Sequence, residues 1–271
     1  MGRLGNTGRP GAMLSDHLLL DLDYLVFSSH KTGTQTIRNS LRASGYKAAH
    51  CHQVSHLDLE DGDFSGYLEA YFARHGKPLD VITLFREPID RHISSFFQGY
   101  GSRPLNEKEV ADKTETLIYK LTVEELREQF VAELEATSLI GFSESLHDIA
   151  RELRLNLVEA ATTSESGMRV IKSQTVRIFL ARFELFFRDF EASLSRIART
   201  EITVKNSNQA DAKWYREKYL NFRRGLEVPH AVIEGAYLQK RDLIELLYDE
   251  SFEAVLQRGI AFYGSHRGIK E

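Results

Sequence analysis

Two kinds of apolar pattern alternate along the chain. Short apolar runs bounded by polar residues, DYLVFSS at 23–29 and PLDVITLFREP at 78–88, predict strands buried on both faces of a sheet. VRIFLARFE at 176–184 predicts another, EITVKN at 201–206 a short last one, and YKAAHCHQVSH at 46–56 a weaker one. Between them the spacing turns helical. TQTIRNSLRASG at 34–45 and FSGYLEAYFARHG at 64–76 each close on a glycine stop signal. IDRHISSFFQGY at 89–100 follows Pro88, a residue suited to a first helical turn. Residues 122–140 place Val123, Leu126, Phe130, Leu134 and Thr137 at helical intervals, and 143–155 and LFFRDFEASLSRIA at 185–198 read as further helices.

This alternation predicts an α/β fold: a P-loop-like three-layer arrangement with a central parallel sheet flanked by helices and a helical C-terminal third. The Gly-rich start, MGRLGNTGRPGAM, makes residues 1–20 a flexible tail, and 21–271 then form a single domain. Ligands of such sheets sit beyond the carboxyl ends of the strands. Three segments fall there: the loop after Ser28, the histidines around position 52, and the arginine after Phe85.

Charge and cysteine count narrow the partners. A net charge of −4 provides no overall field to recruit nucleic acid or an anionic membrane, so an anionic ligand must be held locally. The single cysteine, Cys51, allows no disulfide within the chain and fits a reducing compartment. No apolar run approaches the length of a membrane span, and no apolar core of a secretory signal precedes DHLLLDLD. A cytoplasmic protein is expected.

SSHKTGTQT, between the first strand and its helix, has the outline of a phosphate loop. Gly33 lets backbone approach a ligand closely, and the N–H groups of Thr32 to Gln35 would meet it at a helix N-terminus whose dipole favours anions. Thr34 and Thr36 add hydroxyls, and Lys31 adds a point charge. The lysine precedes the glycine, so this is not the G-x-x-x-x-G-K-[ST] loop of ordinary ATPases and GTPases. No acidic Mg²⁺ ligand stands at a strand end either. Alone, the stretch also fits a plain helix start with a solvated Lys31.

LFREPIDRHISSFF offers a second anion site. Arg86 ends a strand and Ser94 lies about two helical turns on, with Arg91 between them. A guanidinium fork and a hydroxyl make a reasonable cage for a phosphate monoester. By itself the segment fits equally well an arginine in a surface ion pair.

Together, Lys-Thr-Gly-Thr after the first strand and Arg-x-Pro-x-x-Arg-x-x-Ser after a later one resemble the sulfotransferases that use 3′-phosphoadenosine 5′-phosphosulfate (PAPS). The family usually has proline before the lysine; here it is His30. The resemblance implies that Lys31, Thr32, Gly33, Thr34, Gln35 and Thr36 hold the 5′-phosphosulfate, and Arg86 and Ser94 the 3′-phosphate. It extends to GMRVIKSQTVRIFLARFELFFRDFEASL, similar to the late strand–helix unit of these enzymes, though Leu-Phe follows RFE where the family has Asp-Leu. VKNSNQADAKWYREKYLNF is similar to a segment of bacterial capsular-polysaccharide-type members. Tyr215, Tyr219 and Phe222 in it read as a helix face packed on the core.

AAHCHQVSHLD places His50 and His52 on one side of a strand with Cys51 opposite. The resemblance to polysaccharide 2-O-sulfotransferases, which carry a His-x-His pair in a similar place, implies that His52 is the base and His50 its helper or a substrate contact. The residues alone leave other readings open. His50, His52 and His56 form part of a metal-ligand set, though no fourth ligand is evident and no metal is expected. They also fit histidines without a role, and Glu60 or Glu69 is an alternative base.

The expected activity is transfer of the sulfuryl group of PAPS to a hydroxyl of a glycan or glycolipid by in-line displacement. The alternatives are sulfation of a small natural-product alcohol or phenol, a P-loop kinase, and a non-catalytic binding or scaffold protein of the same fold. Arg74, His75 and Lys77 suit either an acidic sugar or a solvated surface cluster. The oligomeric state and the acceptor have no signature here.

Overall fold

The computed structural model describes residues 14–15, 20–59, 63–102, 117–140, 145–157, 161–163, 168–204 and 215–264. The expected tail therefore lies almost wholly outside the described residues. Its pair Leu14–Ser15 (β1) runs parallel to Leu57–Asp58 (β4) as a small separate ladder.

The chain is α/β with a mostly parallel central sheet. The sheet order is β3 (Ala48–Cys51), β2 (Tyr24–Phe27), β5 (Leu79–Phe85), β8 (Val176–Arg182), β7 (Arg169–Lys172), β6 (Ala161–Thr163). The first four are parallel; β7 and β6 add an antiparallel edge that the apolar pattern does not announce. Continuous apolar runs make central strands because both faces are covered. Every residue of β2 and β5 is buried, and successive side chains feed two different cores. Leu25, Phe27, Val81 and Phe85 face one, and Tyr24, Val26, Ile82 and Leu84 the other.

The second core is closed by α1 (Thr34–Ala43) through Ile37 and Leu41 and by α8 (Phe190–Ala198) through Leu194 and Ile197. On the first face lie α2 (Phe64–His75), α3 (Pro88–Ser102), α4 (Leu117–Lys120), α5 (Val123–Ile140) and α6 (Ser145–Glu152), followed by the C-terminal helices α9 (Arg216–Arg224), α10 (His230–Leu238), α11 (Arg241–Leu247) and α12 (Phe252–Tyr263). Capping follows the sequence signals. Asp63 accepts from the Gly66 amide at 2.9 Å, and Gly76 ends α2 in the left-handed conformation. Across β5 and β8, Arg177 makes a fork to Asp80 at 2.7 and 2.5 Å, which satisfies the polar pair inside an otherwise apolar strand.

Tyr215, Tyr219 and Phe222 pack on the core as expected. Phe222 is fully buried against Phe96, Phe97 and Phe130, with ring centroids 4.9–5.9 Å apart. Two expectations fail. The helix expected over 185–198 is two: α7 (Phe183–Arg188) and α8, parted at Asp189, whose φ −123°, ψ 50° lies outside the helical well. Glu201–Val204 is not a strand, because the amides of Ile202 and Thr203 bond the hydroxyls of Ser195 and Ser44 instead of a neighbouring strand. Residues 205–206 lie outside the described residues.

Behind the end of β5 sits a half-buried polar knot. Glu87 accepts from the amides of Ile89 (3.2 Å) and Asp90 (2.6 Å), which caps α3 ahead of Pro88. It also accepts from Tyr237 (2.5 Å) and Tyr263 (3.3 Å), while Asp90 accepts from Tyr263 (2.8 Å) and pairs with Arg223 (2.7 Å). Burial, then the Asp90 charge, pushes Glu87 up to about 7. A carboxyl raised in this way adds stability below its unfolded value and loses it as pH rises through its folded value. Calorimetry of Glu87→Gln against wild type should show the variant gaining relative Tm between about pH 5 and about pH 8. His50 and His92, both held down to about 4 chiefly by burial, titrate alike in the two proteins and cancel in the difference. A difference that does not change with pH contradicts the placement of this charge. Phe222→Ala should cost about 3–5 kcal/mol in urea titrations, as for a fully buried aromatic.

Candidate active site

β2 delivers the chain into the loop Ser28–Gly33, and α1 leaves from it. The loop is clamped to β5. The Ser28 hydroxyl donates to the Leu84 carbonyl at 2.9 Å and accepts from its amide at 3.0 Å, and Thr83 donates to the Phe27 carbonyl at 2.6 Å. The Thr32 hydroxyl lies 2.7 Å from both Ser28 Oγ and the Ser29 carbonyl, so it braces the loop from inside. Thr32 thus has only its amide to turn to a ligand, a narrower role than its place in the motif suggests.

Two residues of the loop adopt positive φ, Lys31 at 69° and Gly33 at 71°. For glycine this is easy; for lysine it costs about 1–2 kcal/mol. The surrounding contacts hold the strained residue in place: Arg86 Nη1 donates to the Lys31 carbonyl at 2.9 Å. The Arg86 guanidinium also lies over the Phe183 ring at 4.6 Å. Its Nε is buried and has no hydrogen-bond partner among the described residues. Strain held at a loop and an unsatisfied buried donor beside it are both marks of a ligand site.

Gly33 is also the N-cap of α1, and no side chain caps that end or lends it an acidic residue. A Cβ at position 33 would come within 2.3 Å of the Phe187 ring. Thr34 and Thr36 are buried and Gln35 is exposed on the first turn. Ser94 is half-buried on the second turn of α3. Arg86 donates to the Lys31 backbone, and no hydrogen bond joins it to Ser94 among the described residues.

The histidines gather at the end of β3, beside the loop. Phe27 pairs with Cys51, so residues just past each strand end become neighbours. Cys51 is buried and its thiol is pushed far up by burial, which leaves it inert. His50 and His52 share the opposite side as expected, with ring centroids 5.6 Å apart. His50 Nδ1 lies 3.0 Å from Arg38 Nη1 and accepts from it, since a guanidinium only donates. Burial first, then Arg38, His52 and Arg42, hold His50 down to about 4, so at neutral pH it is an uncharged acceptor.

His52 differs. Its Nδ1 lies 2.6 Å from the Ser28 carbonyl. A carbonyl only accepts, so Nδ1 carries the proton, and in the neutral ring Nε2 carries the lone pair. That is the tautomer a proton acceptor needs. The ring of His30 lies against His52, 3.7 Å between centroids at 36°.

Among the described residues, no three His, Cys, Asp or Glu side chains converge as a metal-ligand set. Glu69 is exposed on α2, and Glu60 lies outside the described residues. Arg74 pairs with Asp21 at 2.8 Å and His75 Nε2 meets the Leu20 carbonyl at 2.6 Å, so both tie α2 to the segment ahead of β2.

Two participants escaped the motif reading. Glu184 accepts the Glu87 amide at 3.1 Å and so helps set the turn that carries Arg86. Glu87 itself carried a signal, an acidic residue directly before a helix-starting proline. Scans against models of known families, curated proteins and solved structures found no match for this chain.

Gly33 is required twice, by φ and by the approach of Phe187. Gly33→Ala should lower stability by about 1–3 kcal/mol in urea titrations. The same change made in a Phe187→Ala background should cost less, because only the backbone strain remains. An equal penalty in both backgrounds contradicts the clash.

Proposed function

We propose that this chain is a PAPS-dependent sulfotransferase acting on a hydroxyl of a carbohydrate or glycolipid. The observation that carries the reading is the Arg86 guanidinium: one arm braces the phosphate-type loop through Lys31, while its buried Nε has no hydrogen-bond partner among the described residues. An anion that completed this site would stand beside, but apart from, one held on the amides at the start of α1. A nucleotide phosphorylated at both the 3′ and 5′ positions matches two such neighbouring sites; a nucleoside triphosphate tail needs only one. A loop after the first strand of a sheet covered on both faces is consistent with a P-loop-like three-layer arrangement, and a cytoplasmic setting accords with the single, buried cysteine.

In this reading Lys31 and the amides of Thr32 to Thr36 orient the 5′-phosphosulfate, and Arg86, with Ser94 on α3, holds the 3′-phosphate. His52 Nε2 takes the acceptor hydroxyl's proton as its oxygen bonds to sulfur. The bond from sulfur to the bridging oxygen breaks, and adenosine 3′,5′-bisphosphate leaves with the electron pair. Lys31 and the amides neutralise charge growing on that oxygen. Catalysis is positioning plus fixed electrostatics, with His50 held neutral beside the base.

Thermal-shift measurements should show stabilisation by adenosine 3′,5′-bisphosphate, about 2.7 kcal/mol at a hundredfold excess over Kd, and little by ADP or ATP–Mg²⁺. Stabilisation by ATP–Mg²⁺ alone would indicate a kinase, and no response to any nucleotide a binding or scaffold protein. With PAPS and an accepting hydroxyl, glycan or phenol, His52→Ala and Lys31→Ala should each lower kcat by about 10²–10³. Arg86→Ala should act mainly on the KM for PAPS. Full turnover by His52→Ala removes it from the base role.

A further inference from the structure

We propose that Arg38 is a positioning residue that commits His50 to one tautomer, with the proton on Nε2, and so makes His50 a hydrogen-bond donor beside the base rather than a second base. The kinetic part of this inference rests on the sulfuryl-transfer reading; the tautomer does not. Two arginines one helical turn apart stitch α1 to β3. Arg42 Nε donates to the Ala48 carbonyl at 2.7 Å, and Arg38 Nη1 lies 3.0 Å from His50 Nδ1. The Arg38 guanidinium is itself fixed, since Nε and Nη2 both donate to Asn39 Oδ1, at 3.1 and 2.9 Å.

A guanidinium has no lone pair to offer, so His50 Nδ1 must supply one. The neutral ring then carries its proton on Nε2. The neighbouring ring is set the other way round: the Ser28 carbonyl at Nδ1 of His52 leaves its lone pair on Nε2. The two rings stand 5.6 Å apart between centroids and so offer opposite chemistry at Nε2, an acceptor on His52 and a donor on His50. Protonating His50 would set a second cation against Arg38. Arg38 and Arg42 on α1 and His52 just past the end of β3 all oppose that proton, and burial opposes it more. No carboxylate among the described residues offsets Arg38, whose guanidinium is pulled down by burial and then by Arg42. His50 therefore stays neutral and keeps Nε2–H in the range where a histidine base works. Such a donor can hold an oxygen of the sulfuryl group during transfer without competing for the proton that His52 takes.

The test starts from ¹⁵N–¹H correlation spectra of the histidine side chains, with the His50 signals assigned by their loss in His50→Gln. At pH 7 wild type should show His50 protonated at Nε2 and bare at Nδ1, and uncharged down to about pH 4. In Arg38→Met the Nδ1–H tautomer should appear, and the ring should take up its proton at higher pH because the cation opposing it is gone. Turnover of PAPS with an accepting hydroxyl separates donor from base. His50→Ala should lower kcat by about 2–10-fold, the worth of one neutral hydrogen bond. His50→Gln keeps a side-chain donor without a titrating ring, so it should retain more of kcat than His50→Ala. A protonated Nδ1 on His50 in wild type overturns the proposal whether or not the variants fold. So does an unaltered His50 signal in Arg38→Met, or a His50→Gln variant as impaired as His50→Ala. If wild type transfers no sulfuryl group, the proposed function fails, while the spectra still decide what Arg38 does to His50.

Discussion

The hydrogen bond from Arg86 to the Lys31 carbonyl joins two residues 55 apart in the chain. It spans the ends of β2 and β5, and it holds in place the one loop residue whose backbone is strained against its side chain. Everything proposed for the anion loop passes through that contact. It sets the direction of Lys31 and the start of α1. It also leaves Arg86 with a buried donor to offer.

Arg86 can serve in this way because the next residue is anchored. Glu87 caps α3 and takes hydroxyls from two C-terminal helices, and Asp90, one turn on, takes Tyr263 and Arg223. The C-terminal third therefore does more than cover a face of the sheet. Its tyrosines hold the turn from which the arginine projects, and they do so with a carboxyl whose charge is costly at that depth. Glu184 braces the same turn from the end of β8. Distant helices thus bear on the site by way of one capping carboxylate.

Much of this was legible in the chain. β2, β5 and β8 stand out because strands covered on both faces must be apolar throughout, and α1 and α2 because glycine stops them. The two anion-type segments and the histidines were found where strands end. What was not legible depends on partners distant in sequence. Residues 201–204 have strand composition, yet two serine hydroxyls claim their amides. The antiparallel edge of β6 and β7 depends on which strand β8 meets. The break at Asp189 has no glycine or proline to mark it. At the site, the sequence shows an arginine and a serine two turns apart, but not that the arginine also donates to the Lys31 carbonyl of the loop. Nor does it show that His30 and His52, 22 residues apart in number, meet because β2 and β3 are neighbours in register.

The central claim is that Arg86 serves a phosphate distinct from the one on the loop. Isothermal titration of wild type and Arg86→Ala with adenosine 3′,5′-bisphosphate and with adenosine 5′-monophosphate tests it directly. Wild type should bind the bisphosphate about 10–100-fold more tightly, the worth of one charge-assisted contact, and Arg86→Ala should lose most of that preference. Equal affinity of wild type for the two nucleotides, or a preference that survives the loss of Arg86, would contradict the account.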